Sequence, residues 1–336
     1  MKTRHKIIIF LLVVPPIFGE VLSCSSPPLS FVEPVTLVLL VLLYGCGALL
    51  VREIRARWRL GWGALLLAVA YGILEEGVIV QSFFNPGWED LGVLSAYGMY
   101  LGVQWPWTLM LIAFHGTISI LAPLAAADLI WPEYKNEPLL KTRGLVLAIA
   151  GMSLMAAVSI PGFRRMPNMA ETLPGWGIVI AAGVITALLV IFAHRSASIP
   201  PPISPGRKPR PAGVFAAAFL FQALNVVIPF AFADEGVSAG VTILLQVILL
   251  SIALVYAMRK LPFSLATERI WWAAIFGSLG FWMIVATVTE LSGAAWPNEY
   301  AGSALVSVAI CILLLFLGRR IRKRDERTSG DAYGAK

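Results

Sequence analysis

Two adjacent glutamates and one histidine lie inside segments that otherwise consist of apolar side chains. Glu75 and Glu76 occur in YGILEEGVIV (71–80), and His115 occurs in LIAFHGT (111–117). A carboxylate can accept a proton from water, and carboxylates and imidazoles both bind zinc. These three residues are therefore candidates for catalysis, for metal binding or for a proton relay.

Burial of the two acids needs a reason beyond packing. A charge at the centre of a membrane helix costs about 2.5–3.5 kcal/mol in insertion assays. A polar contact between membrane helices returns only about 0.6 kcal/mol on average. We therefore expect Glu75 and Glu76 to face other polar groups and to serve a function, although a structural hydrogen bond to His115 stays an open alternative.

Other polar residues are expected at a similar depth. At a rise of 1.5 Å per residue from the helix ends, one polar layer in the outer half of the bundle contains Glu75, His115, Asn225 and Gln246. Asn225 and Gln246 are interpreted as helix–helix contacts around the site. Glu20 and Glu290 lie closer to the same surface, and we interpret both as solvated residues at its rim.

The composition places these residues in a membrane protein. Of 336 residues, 58% are hydrophobic and 13% are charged, about half the charged fraction of a soluble domain. Basic segments between membrane helices explain the net charge of +7 without a nucleic-acid partner. The sequence predicts an all-α bundle in the lipid bilayer with about ten helices, at 6–24, 34–51, 62–83, 105–130, 144–161, 176–194, 213–232, 237–258, 270–291 and 301–318.

The distribution of cations predicts the orientation. With the N-terminus in the cytoplasm, the inner segments hold 24 of the 26 Lys and Arg residues, and only Arg164 and Arg165 lie outside. Cytoplasmic loops carry an excess of Lys and Arg. We therefore predict a multi-pass protein of the cell membrane with both termini in the cytoplasm.

A proline-rich basic stretch divides the chain. Residues 196–212 form a cytoplasmic linker between a six-helix part, 1–195, and a four-helix part, 213–318, and a basic tail follows at 319–336. The first segment also resembles a secretory signal cleaved before Cys24. Pro15 and Pro16 favour a retained, kinked helix instead.

The outer segment 84–105 connects the helix with the acids to the helix with the histidine. It contains no Lys or Arg and four glycines. Two interpretations remain open: an ordinary connecting loop, and a re-entrant lid over the site.

The order of these motifs resembles a known family. A Glu-Glu pair followed in the next helix by a histidine is similar to the CAAX-protease and bacteriocin-processing superfamily of intramembrane metalloproteases and its non-catalytic relatives. That family shows EExxxR, FxxxH and HxxxN. This chain has EEGVIV with Val80 at the arginine, LIAFH with Leu111 at the phenylalanine, and FQALN with Asn225 present and Phe221 at the second histidine.

The resemblance implies a glutamate that activates a metal-bound water and a histidine that holds the metal. Because His5 and His194 lie at the inner surface, zinc would have to bind His115 with carboxylates, chiefly Glu76. Three hypotheses follow. They are an intramembrane metal-dependent protease, a proton- or cation-coupled transporter, and a non-catalytic scaffold whose polar layer binds a membrane peptide or partner helix.

Overall fold

The fold is an all-α helical bundle, seen in a computed structural model that describes residues 2–165, 174–198, 209–261, 267–292 and 301–334. Ten long helices occur within these residues, as the apolar runs predict. They are α1 (3–21), α2 (Pro34–Arg57), α3 (63–79), α4 (Trp105–Ile130), α5 (Thr142–Phe163), α6 (Trp176–Ser196), α7 (Pro211–Asp234), α8 (Ala239–Lys260), α9 (Glu268–Ser292) and α10 (Ser303–Gly334).

Eight of these helices in the described residues are long and apolar enough to cross a membrane: α2 and α4 to α10. The other two differ for simple reasons. α1 carries Arg4, Lys6 and Glu20, and α3 has fewer than 18 residues. The chain is thus a multi-pass membrane bundle, and the exposed leucines, isoleucines and valines along α5 to α8 form the surface that lipid would cover.

The segments predicted to lie on the inner side meet at one end of the bundle, which we call the basic end. Here Arg55 pairs with Asp128 at 2.8 Å, and Arg4 pairs with Glu137 at 3.0 Å. Arg324, at the far end of α10, donates to the Leu129 carbonyl at 2.9 Å. Successive helices that alternate in direction would bring these segments to one end, as observed. The assignment of this end to the cytoplasm stays a prediction.

α2 closes the basic end through a buried ionic cluster. Glu53 and Arg52 have exposed fractions of 0% and 1%. Glu53 accepts the Leu139 backbone N–H at 2.6 Å, and Arg52 donates to the Glu137 and Tyr134 carbonyls at 2.7 and 2.5 Å. The α4–α5 connection is therefore anchored to α2 by backbone hydrogen bonds. The sequence did not reveal this cluster, because charges near a helix end resemble a solvated terminus.

Four helices of the N-terminal half contain wide π-helical turns. The turns are Ile17–Val21 in α1, Val41–Gly45 in α2, Leu74–Ile79 in α3 and His115–Leu121 in α4. The turn in α1 directly follows Pro15 and Pro16, which have no backbone N–H to donate. α1 therefore continues past the prolines, as predicted. π-helical turns are rare and frequently mark functional sites, and three of these four contain candidate residues: Glu20, the Glu75–Glu76 pair and His115.

α3 ends earlier than the sequence predicts. The predicted end was residue 83, but the continuous helix stops after Ile79 because Gln81 has a left-handed backbone, with φ of 67°. Arg164 donates to Gln81 Oε1 at 3.1 Å, and Gln81 donates to the Val78 carbonyl at 3.3 Å. These bonds hold the chain where it leaves α3.

The segment after α3 folds over the end opposite the basic end. It contains the turns Ser82–Phe84 and Glu89–Leu94 and a two-stranded antiparallel hairpin of β1 (Met99–Tyr100) and β2 (Val103–Gln104). The side chains of Phe83, Leu91 and Leu94 are buried. The sequence left an ordinary connecting loop and a lid as alternatives. The structure shows a packed cap with buried side chains.

The C-terminal helices attach to α4 through polar side chains. Gln222 on α7 donates to Thr117 Oγ1 at 2.8 Å and accepts the indole N–H of Trp282 on α9 at 3.2 Å. Amide side chains of this kind join helices where lipid offers no hydrogen-bond partner. The two predicted parts of the chain therefore contact each other directly. Most of the predicted linker, residues 199–208, lies outside the described residues.

α10 extends beyond its predicted end at residue 318. The segment predicted to be a separate basic tail is helical as far as Gly334. Lys, Arg and Glu are good helix formers, and Arg322 pairs with Glu326 at 3.0 Å one turn later. The tail is therefore a continuation of the last membrane helix.

We expect Gly277→Ala to destabilise the bundle by about 1–3 kcal/mol, because overpacking a tight helix contact displaces both backbones. A Cβ at Gly277 on α9 would lie 2.2 Å from the Phe215 carbonyl oxygen on α7. Thermal unfolding in detergent measures the effect. Gly280→Ala is the control, since its nearest atom, Phe219 Cδ2, is 3.7 Å away. Equal midpoints for both variants would contradict the tight contact.

Candidate functional site

The candidate site lies where the four π-helical turns meet. They bring together Glu20 from α1, Tyr44 from α2, Glu75 and Glu76 from α3, and His115 from α4. Gly19 permits this approach, because a Cβ at that position would lie 2.9 Å from Ser119 Oγ on α4. Each turn widens the helix at the residue that faces the centre.

His115 lies between the two glutamates. Its Nε2 is 2.9 Å from Glu76 Oε1, and its Nδ1 is 3.0 Å from Glu75 Oε2. Ser119 Oγ is 3.1 Å from the same Nδ1. The exposed fractions are 1% for Glu75, 8% for Glu76 and 3% for His115. The structure thus joins the three residues that the sequence selected, in a site closed to bulk water.

Glu76 is held by a second pair of side chains. The Ser82 hydroxyl donates to Glu76 Oε2, and the indole N–H of Trp107 donates to Ser82 Oγ at 3.0 Å. Ser82 comes from the cap and Trp107 from the start of α4. Both Glu76 oxygens therefore have a partner, which fixes the orientation of this carboxylate.

Glu75 differs from Glu76 in its partners. Neither Glu75 oxygen forms a hydrogen bond of good geometry within the described residues, although Oε2 is close to the imidazole. The buried hydroxyl of Tyr71, four residues earlier on the same helix, is close to Glu75 but forms no hydrogen bond of good geometry there. The His115 imidazole is therefore the main polar partner of Glu75, on the side of the ring opposite Glu76.

Glu20 extends the cluster toward the outer surface. The Tyr44 hydroxyl donates to Glu20 Oε1 at 2.7 Å, and the Ser26 hydroxyl donates to Oε2 at 2.5 Å. The Tyr44 ring stacks on the His115 ring with centroids 6.0 Å apart. Glu20 was expected at a solvated rim. The structure instead places it half-buried and in contact with the polar centre through Tyr44.

Three other predicted residues lie outside the cluster. Asn225 donates to the Met110 carbonyl at 3.0 Å, and Gln246 donates to the Pro106 carbonyl at 2.9 Å. These bonds join α7 and α8 to α4. Glu290 accepts the N–H groups of Gly302 and Ala304 at 3.1 and 2.6 Å, which satisfies the start of α10. None of the three forms a hydrogen bond with Glu75, Glu76 or His115.

Sequence reasoning missed the neutral members of the site: Tyr44, Tyr71, Ser82, Trp107 and Ser119. One of them had a usable signal, because Ser119 is four residues after His115 and therefore lies on the same helix face. The others come from different elements. Hydroxyl and indole groups cost less to bury than a carboxylate, so their positions do not stand out in an apolar helix.

The charge of the site favours a cation. Among the described residues, no Lys or Arg forms an ion pair with Glu20, Glu75 or Glu76. When ionised, the three carboxylates exceed the single charge that His115 can carry. One ligand atom each from Glu75, Glu76 and His115 lies within 4.8 Å of the others, close enough to share one metal ion.

A family comparison matches nearly the whole chain. The model of an uncharacterized membrane protein family matches residues 9–324. The chain belongs to this family. The match includes α2 to α9 in full, most of α1 and α10, and the Glu75–Glu76–His115 cluster. Comparisons with the curated proteins and with the solved structures give no match.

Proposed function

We propose that this protein is an intramembrane metal-dependent hydrolase that cleaves a peptide bond in a membrane segment. The observation that carries the proposal is the buried meeting of two carboxylates and an imidazole, with ligand atoms within 4.8 Å. The proposal includes a distant relationship to the CAAX-protease and bacteriocin-processing superfamily, to which the Glu-Glu pair and the following histidine are similar.

The donor set fits zinc. Imidazole nitrogen and carboxylate oxygen are both zinc ligands, and three protein side chains are the usual number in a catalytic site. The excess of negative charge gives further support, since the buried Glu75 and Glu76 carboxylates share His115 as their one ion-pair partner in the described residues. Glu76 and one ring nitrogen of His115 would hold the metal, and Glu75 Oε2 would complete the set.

A bound zinc would supply a water of lowered pKa and would polarise the scissile carbonyl. The chain supplies the other parts. Glu75 Oε1 accepts the proton of the attacking water while the water oxygen bonds to the carbonyl carbon. Glu75 then returns that proton to the amide nitrogen as the C–N bond breaks. Ser82 and Ser119 keep Glu76 and His115 in place throughout.

The second candidate is a proton relay for transport. It is favoured by the contact of each His115 ring nitrogen with a carboxylate, at 3.0 and 2.9 Å. A transporter also needs a polar path to both sides of the membrane. Toward the basic end, however, α4 presents Ile118, Ile120 and Leu124 with exposed fractions of 0–1%. This apolar layer favours the hydrolase over the relay.

Ser82→Ala is expected to weaken zinc binding about 10-fold, because residues that orient a ligand typically contribute 10–100-fold to metal affinity. The variant removes the donor to Glu76 Oε2 and leaves the carboxylate itself. Competition with a chromogenic chelator measures the change. Ser251→Ala is the control, since this exposed hydroxyl bonds, among the described residues, only to the Val247 carbonyl in its own helix. Unchanged affinity in Ser82→Ala would contradict the assigned role of Glu76.

The hydrolase is tested in membranes of cells that express the wild type or Glu75→Gln. Mass spectrometry of new peptide N-termini should find cleavages inside predicted membrane spans only with the wild type. The variant keeps the shape of the side chain and removes the base. Equal sets of N-termini, together with proton flux into proteoliposomes that Glu75→Gln abolishes, would instead establish the relay.

A further inference from the structure

The last helix, α10, presents one apolar face away from the bundle. Leu305, Leu313 and Phe316 on this face have exposed fractions of 73%, 66% and 60%. The other face packs on α9, where the indole N–H of Trp272 donates to the Leu314 carbonyl at 2.8 Å. The exposed face is therefore the one that hydrocarbon would cover.

Three cations continue this face beyond Gly318. Arg319, Arg320 and Lys323 are all exposed. At about 100° per residue, Lys323 lies within about 20° of Phe316 around the helix axis, and the two arginines lie within about 60° on either side. The Arg319 guanidinium is 5.9 Å from the centroid of the Phe316 ring. These three residues, which we call the α10 cation patch, therefore begin where the apolar face ends.

The acids of this part of α10 are engaged by other cations. Glu326 pairs with Arg322 at 3.0 Å, and Asp325 pairs with Arg269 of α9 at 2.5 Å. Within the described residues, no member of the α10 cation patch forms an ion pair or a hydrogen bond. The patch therefore keeps its positive charge for a partner outside the chain.

We propose that the α10 cation patch binds the headgroups of anionic phospholipids. The phosphates lie beside Arg319, Arg320 and Lys323, and the acyl chains follow the apolar face that includes Phe316. A lipid fits because its charged and apolar parts are joined in the same order as those of α10, whereas a soluble anion could contact only the cations. Charge complementarity selects an anionic headgroup over a zwitterionic one. The inference does not depend on the proposed hydrolase.

Native mass spectrometry of the delipidated full chain tests this proposal, with phosphatidylglycerol or phosphatidylcholine added at equal concentrations. We expect several-fold tighter binding of phosphatidylglycerol. Lys323→Gln should weaken that binding about five-fold, the usual contribution of one cation at a membrane surface. Arg319→Gln, Arg320→Gln and Lys323→Gln combined should abolish the preference. Glutamine favours a helix about as well as lysine or arginine, so the variants should unfold at the wild-type temperature.

Arg143→Gln is the matched control. It removes the same charge from an exposed side chain at the start of α5, which packs on α2 and α3. This variant should bind phosphatidylglycerol as the wild type does. Equal affinity of the wild type for the two lipids would overturn the proposal, as would an equal loss in Arg143→Gln and Lys323→Gln. Displacement of phosphatidylglycerol by excess inorganic phosphate would also overturn it, in favour of a soluble anion.

Discussion

His115→Ala is expected to abolish stoichiometric zinc binding. The wild type should hold about one zinc per chain, and the variant should bind it at least 100-fold more weakly, because it loses the only nitrogen ligand of the described cluster. Elemental analysis of the purified protein gives the stoichiometry, and chelator competition gives the affinity. Removal of the imidazole also leaves Glu75 and Glu76 facing each other without the group that separates them.

His194→Ala is the matched control for this experiment. His194 lies at the basic end, where its ring packs on Trp58 with centroids 4.5 Å apart. It should retain the full zinc content. A wild-type protein that binds no zinc at neutral pH would contradict the metal site, as would a His115→Ala variant with unchanged affinity.

Glu53→Ala is expected to cost about 3–5 kcal/mol of stability, the usual result of breaking a buried ion pair from one side. The change removes the Glu53 carboxylate, which lies 3.4 Å from the Arg52 guanidinium, and leaves Arg52 buried. It also leaves the Leu139 N–H, which donates to Glu53 Oε1 at 2.6 Å, without its acceptor. Thermal unfolding in detergent should show a large fall in the midpoint.

The exposed acid Glu133 on the α4–α5 connection supplies the control. Glu133→Ala should change the free energy of unfolding by less than about 0.5 kcal/mol, as most surface substitutions do. A Glu53→Ala protein as stable as this control would show that the buried cluster contributes little to the basic end.

The sequence predicted the helices well and their ends less well. Apolar runs of membrane length fix how many helices form, and each of the ten predicted runs corresponds to a helix. The ends depend on local contacts that hydropathy does not report. α3 stops at Ile79 because Gln81 takes a left-handed backbone held by Arg164, and α10 continues because its charged residues favour a helix.

The candidate site was predictable only in part. Depth along a helix can be counted from the sequence, and that count placed Glu75 and His115 in the same polar layer. Rotation about the helix axis cannot be read when nearly every side chain is apolar. Asn225 and Gln246, interpreted as helix–helix contacts at a similar depth, do bond to α4 carbonyls on its outer turns. Glu20 was assigned to the rim, yet it reaches the centre through Tyr44.

The central claim is that Glu75, Glu76 and His115 hold one metal ion together. X-ray absorption at the zinc edge tests it most directly, on the wild type and on Glu76→Gln. The account predicts a shell of nitrogen and oxygen ligands at about 2.0–2.2 Å without sulfur, altered in Glu76→Gln. A sulfur shell near about 2.3 Å would place the metal on a cysteine and contradict the account, as would identical spectra for the two proteins.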